Sequence, residues 1–379
     1  MRVLLIDPWG TANTSEYLNG LIYGLSPITE LTVFTNYHFK LKVNSSADIH
    51  RVFFKKTEVM NKGKCRKILR GIEYIVGYNR IFNFLKKQDK FDVIHINWLL
   101  KYSLDIKFIH ALKKYTNRLV YTAHNVIPHV NGEKSIEQLR RIYGQCDRIV
   151  LHGEAIKKEF EFYFPEYVEK IYIQKHGCNL YPSIEYDESK VPDYIKEKIS
   201  KFDKSFVFFG NVFFNKGPDR LVDLWDSSWT NSLLIIAGRR DGEYPQLDAL
   251  KDKIEKSDNI LELNGFVEDN LLNYLIDKSV IILLPYRHAS MSGVVFTAAD
   301  FHKTVLCTNV GALPEYLEKD VDSFIVANND ADIKKIIKKI VSIDKKEFIE
   351  MGNRLHGNIV NKCSWGNIAS NLVNICYMN

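Results

Sequence analysis

No apolar stretch in this sequence approaches the roughly 20 residues a helix needs to cross a bilayer. The opening "MRVLLIDPWG" is broken by Asp7, too early for the apolar region of a secretory leader, and reads instead as a first strand. The six cysteines (65, 146, 178, 307, 363 and 376) are scattered without a close pair, which disfavours a zinc site or a secreted disulfide scaffold. A reducing, cytoplasmic setting is therefore expected. The segment after the first strand, "DPWGTANTSEYLNG", lacks G-x-G-x-x-G, the close-approach fingerprint of nicotinamide-linked oxidoreductases. No pair of acids stands out as a metal site. Asp320 and Asp322 sit in a charged turn with Glu318, and solvation explains them better. Acids are also missing from residues 285–299, where an apolar run gives way to "PYRHASMSGVVFTAA".

What is present is ordinary for a soluble protein: 46% hydrophobic and 26% charged residues, with a formal net charge of +6. A length of 379 residues is more than one hydrophobic core comfortably serves, so two domains are expected. Short apolar runs form two series. The first is 3–7, 31–36, 92–97, 118–125, 148–153 and 170–177; the second is 205–212, 232–239, 259–266, 280–287, 304–310 and 323–328. Near-continuous apolar runs of this length suit strands buried on both faces of a parallel sheet. Amphipathic stretches between them complete α/β units, giving two doubly wound domains. The expected division is 1–180, a linker at 181–204, a second domain at 205–360, and a last helix at 361–379.

In doubly wound folds, ligands gather beyond the carboxyl ends of the strands. Three loops there carry usable chemistry. In "FFGNVFFNKG", Lys216 beside Gly217 offers an ammonium and close backbone approach to a phosphate. In "PYRHASMSGVV", Ser290, Ser292 and Gly293 leave room at a helix start. In "YTAHNVIPH", His124 ends a strand and His129 follows; such a ring can orient or polarise a substrate group, or be purely structural. His95, inside its strand, reads as structural. The segment 55–90 interleaves many lysines and arginines with aromatic and aliphatic residues, as on a helix lying on an anionic membrane or one packed with its charges solvated. Lys62, Lys64, Arg66 and Lys67 are its candidate membrane contacts.

Taken in order, "DVIHIN", "YTAHNVIPH", "DRIVLHGEAIKKEF", "FFGNVFFNKG", "LLIIAGR", "SGVVFTAADF" and "TNVGALPEYL" resemble bacterial GT-B glycosyltransferases of the family-4 type, which build polysaccharides. The resemblance implies two Rossmann-like domains facing a central cleft, with the acceptor on the first, a nucleotide sugar on the second, and a final helix crossing back. It implies transfer of a sugar, a hexose by expectation, from a nucleotide diphosphate to a hydroxyl of a glycan or lipid-linked glycan. Retention at the anomeric carbon, independence of metal and of any cofactor, no nucleic-acid partner, and a place at the inner face of the cell membrane go with it. Residue by residue, Lys216 matches the diphosphate-binding lysine, with Gly210 and Asn211 in the same loop. Gly293 and Val294 match backbone donors to the distal phosphate, Val267 the nucleobase reader, and Glu315 the glutamate of the G-x-P-E turn. His124 matches the histidine near the reacting centre, and Gly10 the first-strand loop. Ser290 and Ala298 stand where the family has two glutamates, and Asn211 where it has an arginine. Arg239 or Arg287 is the expected replacement cation. These losses motivate a second reading, a catalytically silent subunit that binds nucleotide sugar or a partner enzyme.

Overall fold

A computed structural model describes residues 1–11, 13–61, 63–128, 132–240, 242–289 and 291–378. Lys62, His129 and Ser290, singled out above, lie outside the described residues. The chain divides into two compact units, Met1–Leu180 with Lys362–Asn379, and Tyr181–Asn361.

The first unit is built on a seven-stranded sheet in the order β3-β2-β1-β4-β5-β6-β7. Its strands are β1 (Arg2–Asp7), β2 (Glu30–Asn36), β3 (Asp48–Phe53), β4 (Phe91–Ile96), β5 (Thr116–Thr122), β6 (Arg148–Leu151) and β7 (Ile171–Ile173). All neighbours pair in parallel. β3 is absent from the apolar series because "DIHRVF" mixes charge with aliphatic residues, as expected of an edge strand. The strand order reverses between β1 and β4. One core layer packs the helix Asn13–Leu25 between Val3, Leu5, Val33, Val93 and Val120 of the sheet and the C-terminal residues Trp365, Ile368, Leu372 and Cys376. Trp365 is buried, and its indole N–H donates to the Cys178 carbonyl at 2.8 Å. It fits because Gly20 and Gly177 lack a Cβ; one built there would meet the indole at 1.9 and 2.1 Å.

The second unit holds a six-stranded parallel sheet in the order β10-β9-β8-β11-β12-β13. The strands are β8 (Lys204–Phe209), β9 (Ser232–Gly238), β10 (Ile260–Asn264), β11 (Ile281–Leu284), β12 (Thr304–Thr308) and β13 (Ser323–Val326). β8, β9, β11 and β12 are buried at every residue, in keeping with their largely apolar composition. Here the reversal falls between β8 and β11. Each unit thus presents a topological switch point, the place where open α/β sheets bind ligands.

Candidate functional site

In the second unit, the loops leaving β8 and β11 meet at the switch point. After β8, Phe214–Lys216 forms a short 3-10 turn and Gly217 takes φ +68°, a left-handed conformation that L side chains rarely adopt. A Cβ at Gly217 would also lie 2.4 Å from the Pro285 carbonyl oxygen, so this glycine lets the β8 loop press against the β11 loop. The Lys216 ammonium then sits 4.0 Å from the centre of the Tyr286 ring. Burial lowers its pKa below the usual lysine value. Among the described residues it has no carboxylate partner and no hydrogen-bond acceptor.

The neighbouring cations are already neutralised. Arg287 forms a bidentate pair with Asp219, both bonds 2.7 Å, and stacks on Phe214. Asp219 also accepts from the Tyr244 hydroxyl at 2.5 Å. Arg220 pairs with Asp330 at 2.6 Å. Arg287 is thus committed to Asp219 as the unit stands, and the charge it brings to the loop is offset. Arg239 follows β9 and is exposed.

The β11 loop is fixed from beneath. The Tyr286 hydroxyl shares a hydrogen bond with Ser292 Oγ at 3.2 Å, and the Tyr286 carbonyl accepts from Thr308 Oγ1 at 2.5 Å. Ser292 is buried, and its hydroxyl also lies 3.4 Å from the Val294 N–H. It shapes the loop rather than lying open to solvent. Gly293 is exposed, has φ −62° in the ordinary helical region, and a Cβ there would meet nothing within 4 Å. Folding does not demand glycine at this position. Val294 opens the helix Val294–Asp300. Ala298 is fully buried inside that helix, so a glutamate could not replace it without rearrangement. Gly210 and Asn211 are exposed at the end of β8, Val267 is half-buried after β10, and Glu315 is half-buried in the turn after β12.

In the first unit, the strand ends converge in a polar cluster. Asp7 closes β1; its Oδ1 accepts from the Trp9 and Gly10 N–H groups, and its Oδ2 from Asn97 Nδ2 at 2.5 Å. Burial pushes the Asp7 carboxyl up to about 6, the dominant cause against three hydrogen bonds that pull it down. His124 stacks on Trp98 with ring centres 4.0 Å apart and meets Tyr17 edge-on. Its Nε2 lies 3.1 Å from Asn97 Oδ1 and its Nδ1 3.1 Å from His152 Nε2. Burial, reinforced by the neighbouring His152, His176 and His95, holds its pKa well below the usual histidine value. His95 is fully buried between Tyr377 and Thr122, a structural histidine as its mid-strand position implies.

Residues 203–343 match the family Glycosyl transferases group 1. Over 308 residues the chain is 24% identical to an uncharacterized glycosyltransferase of Methanocaldococcus jannaschii, MJ1607, covering 76% of this chain and 75% of that protein. HepE of Anabaena, solved in complex with UDP, superposes with a TM-score of 0.68 over 98% of both chains at 12% identity. Sucrose-phosphate synthase of Thermosynechococcus elongatus gives 0.69 at 12% identity, over 98% of this chain and 97% of its own. The chain has the GT-B fold. In the GT-B frame, the family match spans the sheet that carries Lys216 and Gly293, whereas Asp7, Asn97 and His124 belong to the other unit.

The sequence pointed to Lys216, Gly293 and His124 but missed Tyr286, Asp219, Asp7, Asn97 and His152. A signal was there: the first-series runs end in "LLID", "HIN", "TAHN" and "VLHG", each placing Asp, Asn or His at a strand terminus.

Proposed function

We propose that the protein transfers a sugar, a hexose in this reading, from a nucleoside-diphosphate sugar to a hydroxyl of a glycan or lipid-linked glycan, with retention at the anomeric carbon. The observation that carries this is Lys216. A half-buried ammonium, its pKa lowered, without a carboxylate partner among the described residues, at the switch point of a doubly wound sheet, is a site for an anion. Because Asp219 and Asp330 already offset the adjacent arginines, an arriving diphosphate would meet one uncompensated cation. As the diphosphate departs it gains charge, and a fixed ammonium in a poorly hydrated loop stabilises that charge without reorganising. Gly293 and the Val294 N–H would approach the distal phosphate, and Gly210 and Asn211 would border it. Val267 would meet the base and Glu315 the sugar. In this reading His124 and Gly10 serve the reacting end on the first unit. HepE was solved in complex with UDP, which makes UDP the first nucleotide to try.

The acceptor reading rests on the helix Lys64–Leu85. It buries one stripe, Arg70, Tyr74, Tyr78, Ile81 and Leu85, yet exposes a second made of Ile68, Leu69, Ile72, Ile75 and Val76. Lys64 and Lys67 border that second stripe and are exposed. Apolar residues flanked by lysines fit the surface of an anionic membrane, where a lipid-linked acceptor would be anchored. Among the described residues no helix is long and apolar enough to cross a membrane, so contact would be peripheral.

The deciding experiment is calorimetric titration with UDP and GDP, followed by incubation with the matching nucleotide sugars. Binding together with slow hydrolysis of one donor in the absence of acceptor supports the enzyme. Binding without turnover on any acceptor would favour a silent subunit, a reading motivated by Ala298. No binding of either diphosphate overturns both.

A further inference from the structure

The polar cluster of the first unit is a hydrogen-bonded chain whose two ends are acceptors. It runs from the Asp7 carboxylate to Asn97 at 2.5 Å, from Asn97 to His124 at 3.1 Å, from His124 to His152 at 3.1 Å, and from His152 Nδ1 to the Gln174 carbonyl at 3.0 Å. These are four links, and each requires one hydrogen. A neutral imidazole brings one N–H. The Asn97 amide offers its nitrogen to one side and its oxygen to the other, so it also brings one. With Asp7 ionised and both rings neutral, three hydrogens serve four links, and one link sets acceptor against acceptor.

Two arrangements supply the fourth hydrogen. In one, an imidazolium in the His124–His152 pair donates at both nitrogens while Asp7 stays ionised. In the other, Asp7 is a neutral carboxyl donating to the Asn97 oxygen, and the amide, turned over, donates to His124 Nε2. Amide orientation and histidine tautomer follow from such a network rather than being fixed in advance. Both arrangements hold the same number of protons and the same net charge.

We propose that Asp7 and His124 share a single proton through Asn97, and that Asp7 is the positioning residue that sets the charge and tautomer of His124. When nothing anionic lies against the half-exposed His124 ring, the proton rests on buried Asp7. When an anionic or electron-rich group does, the proton moves to the imidazole without any gain or loss from solvent. The half-exposed ring thus becomes a counter-charge on demand.

The surrounding groups do not take over this role. Tyr17, packed on His124, His152 and His176, is held neutral by burial. His95 and His152 are pushed down to about 3, and His176 is lowered too, all chiefly by burial. Arg70 stacks on the Trp9 indole but is paired with Glu58. The upward shift of the Asp7 carboxyl to about 6 agrees with a proton that the chain retains below that pH and releases to solvent above it. Groups coupled this closely titrate as a pair.

The test needs no substrate, so its outcome is separate from that of the donor reading. Asp7→Asn places a carboxamide whose own N–H can donate to the turned Asn97 oxygen. Every link is then filled with both rings neutral and no labile proton. In protein labelled with 15N-histidine, the wild-type His124 and His152 signals should move together through one transition near pH 6. In Asp7→Asn that transition should vanish, with both rings fixed as Nδ1–H tautomers. A transition near pH 6 that survives in the variant overturns the proposal. If the variant does not fold, the wild type still decides: different midpoints for the two rings overturn it, and a shared midpoint supports it.

Discussion

In the proposed donor site, Lys216 and Gly293 should separate binding from folding at single positions. Lys216→Ala removes an ammonium that no described carboxylate pairs with and that rests on the Tyr286 ring. Its loss should weaken nucleoside-diphosphate binding roughly 10- to 150-fold, the equivalent of about 1.5–3 kcal/mol for a hydrogen bond to a charged group, with an unchanged melting temperature. Retained affinity in calorimetry would remove Lys216 from the donor site. Gly293→Val puts a branched side chain into open space at an ordinary φ, so the fold should hold while donor binding is blocked. If the variant melts early instead, the open loop has another occupant in the folded state. Gly217→Ala should behave in the opposite way, losing stability through its left-handed φ and the Pro285 carbonyl. The buried histidines set a further expectation. His95 and His152 are depressed from 6.5 to about 3, so the folded state binds fewer protons than the unfolded chain in that window. Their contribution is present above about pH 6.5 and lost as pH falls toward 3. Asp7 is shifted the other way, and its contribution is present below 3.8 and lost as pH rises through about 6. Urea midpoints measured between pH 7 and 4 should therefore fall less steeply than the histidines alone would dictate. The Asp7→Asn variant, lacking the opposing term, should fall more steeply.

At the scale of elements, the helix Lys64–Leu85 makes the clearest claim, because its two apolar stripes have different fates. Ile68→Gln with Ile72→Gln alters only exposed positions and should leave stability within about 0.5 kcal/mol. The same pair should reduce sedimentation with anionic vesicles, as should Lys64→Glu with Lys67→Glu, and high salt should release the wild type. Indifference of the wild type to anionic vesicles at low salt would make this a solvated face. Arg66 is a poor choice for charge reversal, since its Nε donates to the Thr57 carbonyl at 2.7 Å and the change would disturb folding as well. Strands were largely legible in the sequence for a physical reason. Burial on both faces erases polar residues, so β8, β9, β11 and β12 stand out as apolar runs. β3 did not stand out because an edge strand tolerates Asp48, His50 and Arg51. Lys216 and Gly293 could be singled out from the sequence because each lies just beyond its own apolar strand run, Lys216 after β8 and Gly293 after β11. The Asp7–Asn97–His124–His152 chain was not, because its members come from four strand ends and meet only when the sheet has formed. The commitment of Arg287 to Asp219, 68 residues away, was hidden for the same reason.

For the molecule as a whole, the first unit depends on residues from the far end of the chain. Trp365→Ala should cost about 3–5 kcal/mol, since it empties a site that Gly20 and Gly177 keep open. Thermal melting followed by near-ultraviolet circular dichroism would measure it; a shift under a degree would mean that the sheet closes without the indole. Removing residues 362–379 should be worse, since it strips Ile368, Leu372 and Cys376 from the same core layer and takes Tyr377 from His95. This dependence also imposes a schedule on biosynthesis. When Leu180 leaves the ribosome, the first sheet has its strands but not its last core layer. At 5–20 residues per second, Trp365 follows about 10–40 s later. Throughout that interval the nascent chain carries an apolar groove on the helix Asn13–Leu25, while the second unit, continuous in sequence, can finish first. The order of completion during synthesis is therefore the reverse of the order of translation, and the unfinished groove is where a chaperone would find this protein.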